Sequence, residues 1–551
     1  MEKLRPLAGA RPQGPVVLAI LDGVGIGPGD GGDAVHLAHK PVLHDLWQHS
    51  PTRPLRAHGT AVGLPSDTDM GNSEVGHNAL GAGRVFEQGA ALVNQAIASG
   101  QLFESAAWRW LTQPLHSGGT LHLCGLLSDG NVHAHVDHVH ALVLQAAREG
   151  VRRIRLHALA DGRDVQDPSF ERFLAELEPV LAQATVLGAD VAVASGGGRM
   201  AITMDRYEAD WPMVQRGWDC HVHGRGEAFQ DVAAALQALR QRAGGQSDQT
   251  LGPFVIADQV GPIGKVCDGD AFVLWNFRGD RAIELSKAFD WGDTFDGFDR
   301  GQRPQVRYAG IMQYDGDLKL PRQFLVEPPV IARTMGEYLA ALGLRTFAVS
   351  ETQKYGHVTY FWNGNRSGVL APAVERYAEV PSDNIAFDQA PEMKARQIAD
   401  LVLAALDESP CFDFVRFNLA NGDMVGHTGN LPATVLAIET LDRELGRIRD
   451  KVQALGGILV VTADHGNADD MWMRDSQGRP VLRADGTIQP KTSHTLSPVP
   501  LTICDARSPP PWQLRHDMPH AGLANVAATL LHLLGYAAPD DYEPSVIEEK
   551  S

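Results

Sequence analysis

"GILVVTADHGN", residues 457–467, is the stretch on which the reading of the whole chain turns. A short β-branched apolar run ends in a small residue and is followed at once by Asp464, His465 and a turn glycine. That pattern predicts a strand whose carboxyl end carries an acid and an imidazole. The same grammar recurs in "VVLAILDGVG" (16–25), "LHLCGLLSDGNVH" (121–133), "RIRLHALADGRD" (153–164), "DVAVASGGGR" (190–199), "AFVLWNFRGDR" (271–281), "RTFAVSETQKYGH" (345–357) and "FDFVRFNLANGDMVGH" (412–427). Each is followed by a helical stretch, so the chain reads as alternating β/α units on mainly parallel sheets. Such sheets bind ligands in the crevice outside the carboxyl ends of their strands. Ten chemically capable residues fall at those ends: Asp22, His133, Arg163, Asp164, Arg199, Arg278, Lys354, Asp423, Asp464 and His465. One alone would mean little, because turns favour Asp and Gly.

At 551 residues the chain exceeds one compact core, which implies two domains or one domain carrying an insertion. The early apolar run "VVLAIL" is too short to span a bilayer and stops at Asp22. The first fifteen residues lack the apolar stretch of a secretory signal and read as a mobile tail. Five scattered cysteines without a CxxC pair point to a reducing compartment. A net charge of −19 disfavours nucleic acid and anionic membranes as partners, yet leaves room for an anionic small molecule held by clustered arginines. An acidic balance also suits divalent metals, although simple solubility explains it as well.

Asp423 and His427 are four apart, so a helical turn places them on one face, as two ligands of one ion require. Carboxylate with imidazole suits Mn2+ or Zn2+, and the lack of nearby cysteine argues against a thiolate site. In "DMGNSEVGHNALGAGR" (69–84), Ser73 stands at the start of a predicted helix and reads either as its cap or as a nucleophile. "FRGDR" sets Arg278 and Arg281 three apart, which predicts a two-pronged clamp on one helical face. The histidines of "VHAHVDHVH" (132–140) suggest a metal tract by composition, but His135, His138 and His140 are better read as capping, packing or solvent-facing residues of the next helix. The glycines of "SGGGR" and "LDGVGIGPG" do not complete a dinucleotide fingerprint. The stretch 241–253 reads as a surface loop and 474–491 as a polar excursion with the character of a hairpin.

Taken in order, "LDGVGIG", "MGNSEVGHN", "SDGNVHAH", "DGRDV", "NFRGDR", "KYGHVT", "NGDMVGHTG", "ADHGNAD" and "TSHTLSPVP" resemble the motif set of the cofactor-independent (2,3-bisphosphoglycerate-independent) phosphoglycerate mutases of the alkaline phosphatase superfamily. The resemblance runs from about residue 15 to 535. It implies an α/β fold of two domains: an alkaline-phosphatase-like three-layer α/β/α domain (1–88 and 328–551) interrupted by an inserted α/β substrate-clamping, phosphotransferase domain (89–327). It implies two divalent ions, one held by Asp423, His427 and His494 and the other by Asp22, Ser73, Asp464 and His465. Mn2+ is the expected metal, with Mg2+, Co2+ or Zn2+ as alternatives, and 2,3-bisphosphoglycerate is not required. The substrate set is His133, Arg163, Asp164, Arg199, Arg206, Arg278, Arg281 and Lys354. Ser73 is the expected nucleophile, Asp164 the proton carrier, and His133 and Lys354 the groups that hold or assist the phosphoryl group.

The implied reaction interconverts 3-phosphoglycerate and 2-phosphoglycerate in glycolysis and gluconeogenesis. The implied protein is a cytoplasmic monomer whose partner is that small molecule, with no nucleic acid and no membrane. A split of this kind implies closure around substrate. The sequence departs from the family pattern in "SDGN" for "SDGG", in a looser stretch around Arg206 and in the long excursion, which is similar to the plant-type subgroup. Phosphopentomutase and a metal-dependent phosphomonoesterase are the rival activities, and a metal-stabilised binding protein without activity is the rival from another class.

Overall fold

The computed structural model describes all residues except 1–2, 8–10, 65–66, 87–88, 206–209, 243–246, 315–318, 328–330, 476, 484 and 551. By its internal contacts the chain divides into two compact units, Met1–Gln88 with Val330–Ser551, and Gly89–Pro329. Each unit is built on one large sheet.

In the first unit the strands lie in the order Glu375–Val380, Thr346–Glu351, Phe414–Leu419, Val16–Leu21, Ile458–Thr462, Val499–Asp505, Thr52–Leu55. The first five are parallel, and the last two joins are antiparallel. Every residue of Val16–Leu21, Phe414–Leu419 and Ile458–Thr462 is buried. Burial on both faces explains why these strands read as unbroken apolar runs and not as alternating ones. Helix Leu431–Ala454 supplies part of that cover through a stripe of Ile438, Leu441, Leu445, Ile448 and Val452, spaced three or four apart.

Register then sets the site. Ile20 pairs with Asn418 on one side and with Thr462 on the other, so three neighbouring strands end at the same level of the sheet. Asp22, Asp423 and Asp464 follow within a few residues of those ends. Gly23, with φ of +78°, makes the turn after Asp22, and a Cβ there would lie 2.6 Å from the Asp423 nitrogen. Only glycine permits that approach.

The sheet of the second unit runs Phe324–Val326, Arg307–Met312, Ala271–Leu274, Leu121–Leu126, Arg153–Ala160, Asp190–Gly198, Phe254–Ile256, Glu227–Phe229. Its first six strands are parallel, and Phe254–Ile256 turns antiparallel to Asp190–Gly198. Here too the four central strands are Ala271–Leu274, Leu121–Leu126, Arg153–Ala160 and Asp190–Gly198, and the polar motifs lie beyond their carboxyl ends.

The excursion at 474–491 contains two tight antiparallel bridges, Arg474 with Pro480 and Leu482 with Ile488. Of the histidine-rich segment, His135 caps helix Val136–Arg148 by accepting from the Asp137 nitrogen, and His138 is buried against Asn94. All five cysteines are free. Among the described residues no helix is long and apolar enough to cross a membrane.

Candidate functional site

Eight residues named from sequence converge in the first unit: Asp22, Ser73, Lys354, Asp423, His427, Asp464, His465 and His494. Ser73 opens helix Ser73–Ala82, but it does not cap it. Asn72 is the cap, its side-chain oxygen accepting from the Glu74 and Val75 nitrogens at 3.1 and 3.2 Å. The cap expectation for Ser73 is therefore corrected: Asn72 satisfies those donors, and the Ser73 hydroxyl is left to face the cluster. Its Oγ lies 2.9 Å from His465 Nε2 and accepts from the Lys354 ammonium. Lys354, in helix Thr352–Gly356, also donates to Asp22 Oδ1 and Asp423 Oδ2, each at 2.9 Å. Its place is thus among the carboxylates of this unit.

The three imidazoles share one arrangement. His427, His494 and His465 each turn Nδ1 to a backbone carbonyl, of Thr492 at 2.6 Å, Gly71 at 2.7 Å and Gly466 at 3.2 Å. A ring donating through Nδ1 presents a lone pair at Nε2. The Nε2 atoms of His427 and His494 lie 3.0 Å apart, and 3.1 and 3.2 Å from Asp423 Oδ1. Three acceptors facing one another at such distances repel unless a proton or a metal cation stands among them, and backbone carbonyls fixing the far nitrogen is the usual support of a metal-bound histidine. Asp423, His427 and His494 offer ligand atoms within 4.8 Å of one another, as do Asp22, Asp423 and His465.

Charge points the same way. Asp22, Asp423 and Asp464 are at most 2 % exposed, with Lys354 as the ammonium among them. Burial, then the Asp464 charge, pushes the Asp22 carboxyl up to about 6. Burial also opposes the charge on Asp423, but His427 and Lys354 outweigh it and hold that carboxyl well below its usual range. Among the described residues Asp464 Oδ2 is buried without a close hydrogen-bond partner, the nearest ring nitrogens being His77 Nδ1 at 3.4 Å and His465 Nε2 at 3.6 Å. Carboxylates, imidazoles and one hydroxyl, with an orphaned buried oxygen among them, fit hard or borderline divalent ions.

Asn418 and Asn467 were not singled out from sequence. Asn418 Nδ2 donates to Asp22 Oδ2 at 2.7 Å and Asn467 Nδ2 to Asp423 Oδ1 at 2.8 Å, fixing which oxygens face the centre. Both lie inside the quoted motifs, at a strand position and in "DHGN", so proximity to the ligands was the available signal.

The second unit gathers His133, Arg163, Asp164, Arg199, Arg278 and Arg281. Arg199, 1 % exposed, donates through Nη1 to Asp161 Oδ1 at 2.7 Å and to Asp164 Oδ2. Asp161 organises the turn, accepting also from Ser128 Oγ at 2.6 Å and from the nitrogens of Arg163 and Asp164. It was not singled out from sequence, although it lies inside the quoted "RIRLHALADGRD". Burial, then the Asp164 charge, pushes its carboxyl up. Burial, then the charges of Arg199, Arg278, Arg281 and Arg163, holds His133 well below its usual value, so its ring is neutral within a strongly cationic cluster. Arg199 Nε is buried with no hydrogen-bond partner among the described residues, a donor that an anionic oxygen satisfies.

Arg278 and Arg281 do not share a helical face. They lie in the turn before helix Ile283–Asp290, because the Phe277 and Arg278 nitrogens bond to the His133 carbonyl and not to a helical ladder. Arg278 Nε lies 3.1 Å from Asp280 Oδ1, and Arg281 Nη1 donates to the Met204 carbonyl at 2.6 Å. Arg206 lies outside the described residues.

Comparison with known proteins adds the following. The model of the Metalloenzyme superfamily matches residues 14–538. A 2,3-bisphosphoglycerate-independent phosphoglycerate mutase of Trypanosoma brucei brucei is 53 % identical over 98 % of both chains. One of Nicotiana tabacum is 51 % identical over 97 % of this chain and 96 % of its own. The crystal structure of Leishmania mexicana phosphoglycerate mutase at low cobalt concentration superposes with a TM-score of 0.96 at 49 % identity, covering all of both chains.

Proposed function

The chain belongs to the 2,3-bisphosphoglycerate-independent phosphoglycerate mutases of the metalloenzyme superfamily, and from that membership we propose that it interconverts 3-phosphoglycerate and 2-phosphoglycerate through a phosphoryl group carried on Ser73. It is then an isomerase of glycolysis and gluconeogenesis. The observation that carries the reading is the Ser73 Oγ at a helix start, 2.9 Å from His465 Nε2 and in contact with Lys354.

Family membership implies one divalent ion on Asp423, His427 and His494 and another on Asp22, Ser73, Asp464 and His465, with Mn2+ the expected metal; the closeness of the ligand atoms of Asp423, His427 and His494, and of Asp22, Asp423 and His465, supports that reading. Bound there, divalent ions would stabilise a serine alkoxide and offset phosphoryl charge. The chain's own groups do the rest. Lys354 holds the Ser73 oxygen from one side, and the amino end of helix Ser73–Ala82 favours an incoming phosphate. Ionised Ser73 Oγ, its proton released to water, attacks phosphorus; the Oγ–P bond forms as the ester P–O bond breaks, and the electron pair goes to the glycerate oxygen, which takes its proton from Asp164. In the second unit the arginines match phosphate and carboxylate, neutral His133 donates one N–H, and Asp164 gives and removes the hydroxyl proton. The freed glycerate presents its other hydroxyl, which takes the phosphoryl group back. A phosphomonoesterase has no need of so many buried cationic groups.

The test is a metal-stripped preparation assayed for conversion of 3-phosphoglycerate with no 2,3-bisphosphoglycerate. Activity is expected to return with Mn2+ and to be indifferent to added bisphosphate. Activity that demanded the bisphosphate, or that favoured pentose phosphates, would overturn the reading.

A further inference from the structure

A line of buried polar groups runs through the second unit. Thr203 Oγ1 lies 3.0 Å from His221 Nε2, and His221 Nδ1 lies 2.7 Å from Ser195 Oγ. Ser195 Oγ is 2.6 Å from His157 Nδ1, and His157 Nε2 is 3.0 Å from His122 Nδ1. His122 Nε2 ends the line 3.3 Å from Asp270 Oδ2. All six residues are at most 4 % exposed, and burial keeps the three rings neutral.

The carboxylate end orders the whole line. Asp270 accepts only, so His122 donates to it through Nε2 and accepts through Nδ1. His157 then donates through Nε2 and accepts the Ser195 proton at Nδ1. Ser195 in turn accepts from His221 Nδ1–H, which leaves His221 Nε2 to accept the Thr203 proton. The four inner members, His122, His157, Ser195 and His221, each donate once and accept once, with no conflict.

The free end of the line is where the backbone is strained. Thr203 has φ of +69°, rare for a β-branched residue. The Met204 nitrogen donates across it to the Ile202 carbonyl at 2.7 Å, closing a three-residue γ-turn of the uncommon hand. Gly217, on the same helix as His221, admits the Thr203 side chain, since a Cβ there would stand 2.1 Å from Oγ1. Strain of this kind persists only where the surroundings over-determine it. What the turn presents is the Met204 carbonyl, which accepts from Arg281 Nη1 at 2.6 Å.

We propose that the polar line from Asp270 to Thr203 clamps this strained turn so that the Met204 carbonyl fixes the Arg281 guanidinium for the anionic substrate, with Thr203 and His221 as positioning residues. The inference rests on the reading of Arg281 as a substrate-binding group. Losing the Thr203 hydroxyl leaves the His221 lone pair buried and unpaired, and the turn keeps the Thr203 N–H bond to the Met213 carbonyl but loses its side-chain anchor.

The experiment is steady-state kinetics of the Mn2+-loaded full chain on 3-phosphoglycerate for T203V, T203S and R281K. T203V is expected to raise KM about tenfold with kcat changed less than about threefold, the pattern of lost uniform binding, and T203S to return KM to within about threefold. Native KM in T203V alongside a raised KM in R281K overturns the clamp. Native KM in R281K overturns the Arg281 reading itself, and the proposal with it. Should T203V fail to fold by thermal melting, S195A interrupts the same line. A raised KM is expected there, and an unchanged one overturns the proposal.

Discussion

Ser73→Ala is expected to lower kcat by about 10^4-fold or more while the melting temperature stays near that of the native chain. The magnitude follows from removing the atom that forms the covalent intermediate, whose loss the remaining groups do not replace. The fold is expected to tolerate it because the helix cap belongs to Asn72, and Lys354 keeps its bonds to Asp22 and Asp423. Steady-state assay and thermal melting check both halves. Turnover within tenfold of native would mean that the phosphoryl group passes elsewhere.

Arg199→Met is expected to be the most destabilising single change in the second unit, costing about 3–5 kcal/mol as well as activity. The guanidinium is 1 % exposed and bonded to two buried carboxylates, Asp161 and Asp164. Its removal leaves them facing each other without a cation. Asp161 is already raised by burial and by Asp164, and losing Arg199 raises it further. A carboxyl raised in the folded state binds more protons folded than unfolded, so its contribution to stability falls as pH rises above the unfolded value of about 4. The deficit of the variant relative to native is therefore expected to be smallest near that pH and to grow toward neutrality. Denaturant titrations at several pH values measure this, and a deficit below about 1 kcal/mol at neutral pH would contradict the account of the pair.

The α/β class was legible because strands such as Val16–Leu21 and Ile458–Thr462 are buried on both faces and so carry unbroken apolar runs that end in turn residues. The candidate metal centre was legible only in pieces. Asp22 and Asp464 stand over four hundred positions apart in sequence, and what joins them is the strand order, with Val16–Leu21 between Phe414–Leu419 and Ile458–Thr462. No local pattern contains that order; the motif set did.

Other features left no usable trace. Asn72 outcompetes Ser73 as cap although both residues suit the role, and the choice depends on where the first helical turn begins. Arg278 and Arg281 have helical spacing, but the His133 carbonyl draws their backbone into a turn. His122, His157 and Ser195 lie inside buried strands, where a polar residue in an apolar run says nothing of its partner across the sheet. Asp161 looks like any acid in a turn until its four donors are seen together.

The central claim is that Ser73 carries the phosphoryl group, and rapid-quench mass spectrometry of the Mn2+-loaded chain during turnover of phosphoglycerate tests it most directly. The expected result is a peptide containing Ser73 that bears the mass of one phosphoryl group, formed no more slowly than turnover. A phosphoryl group on any other residue, or none on the enzyme at any time while product forms, would contradict it.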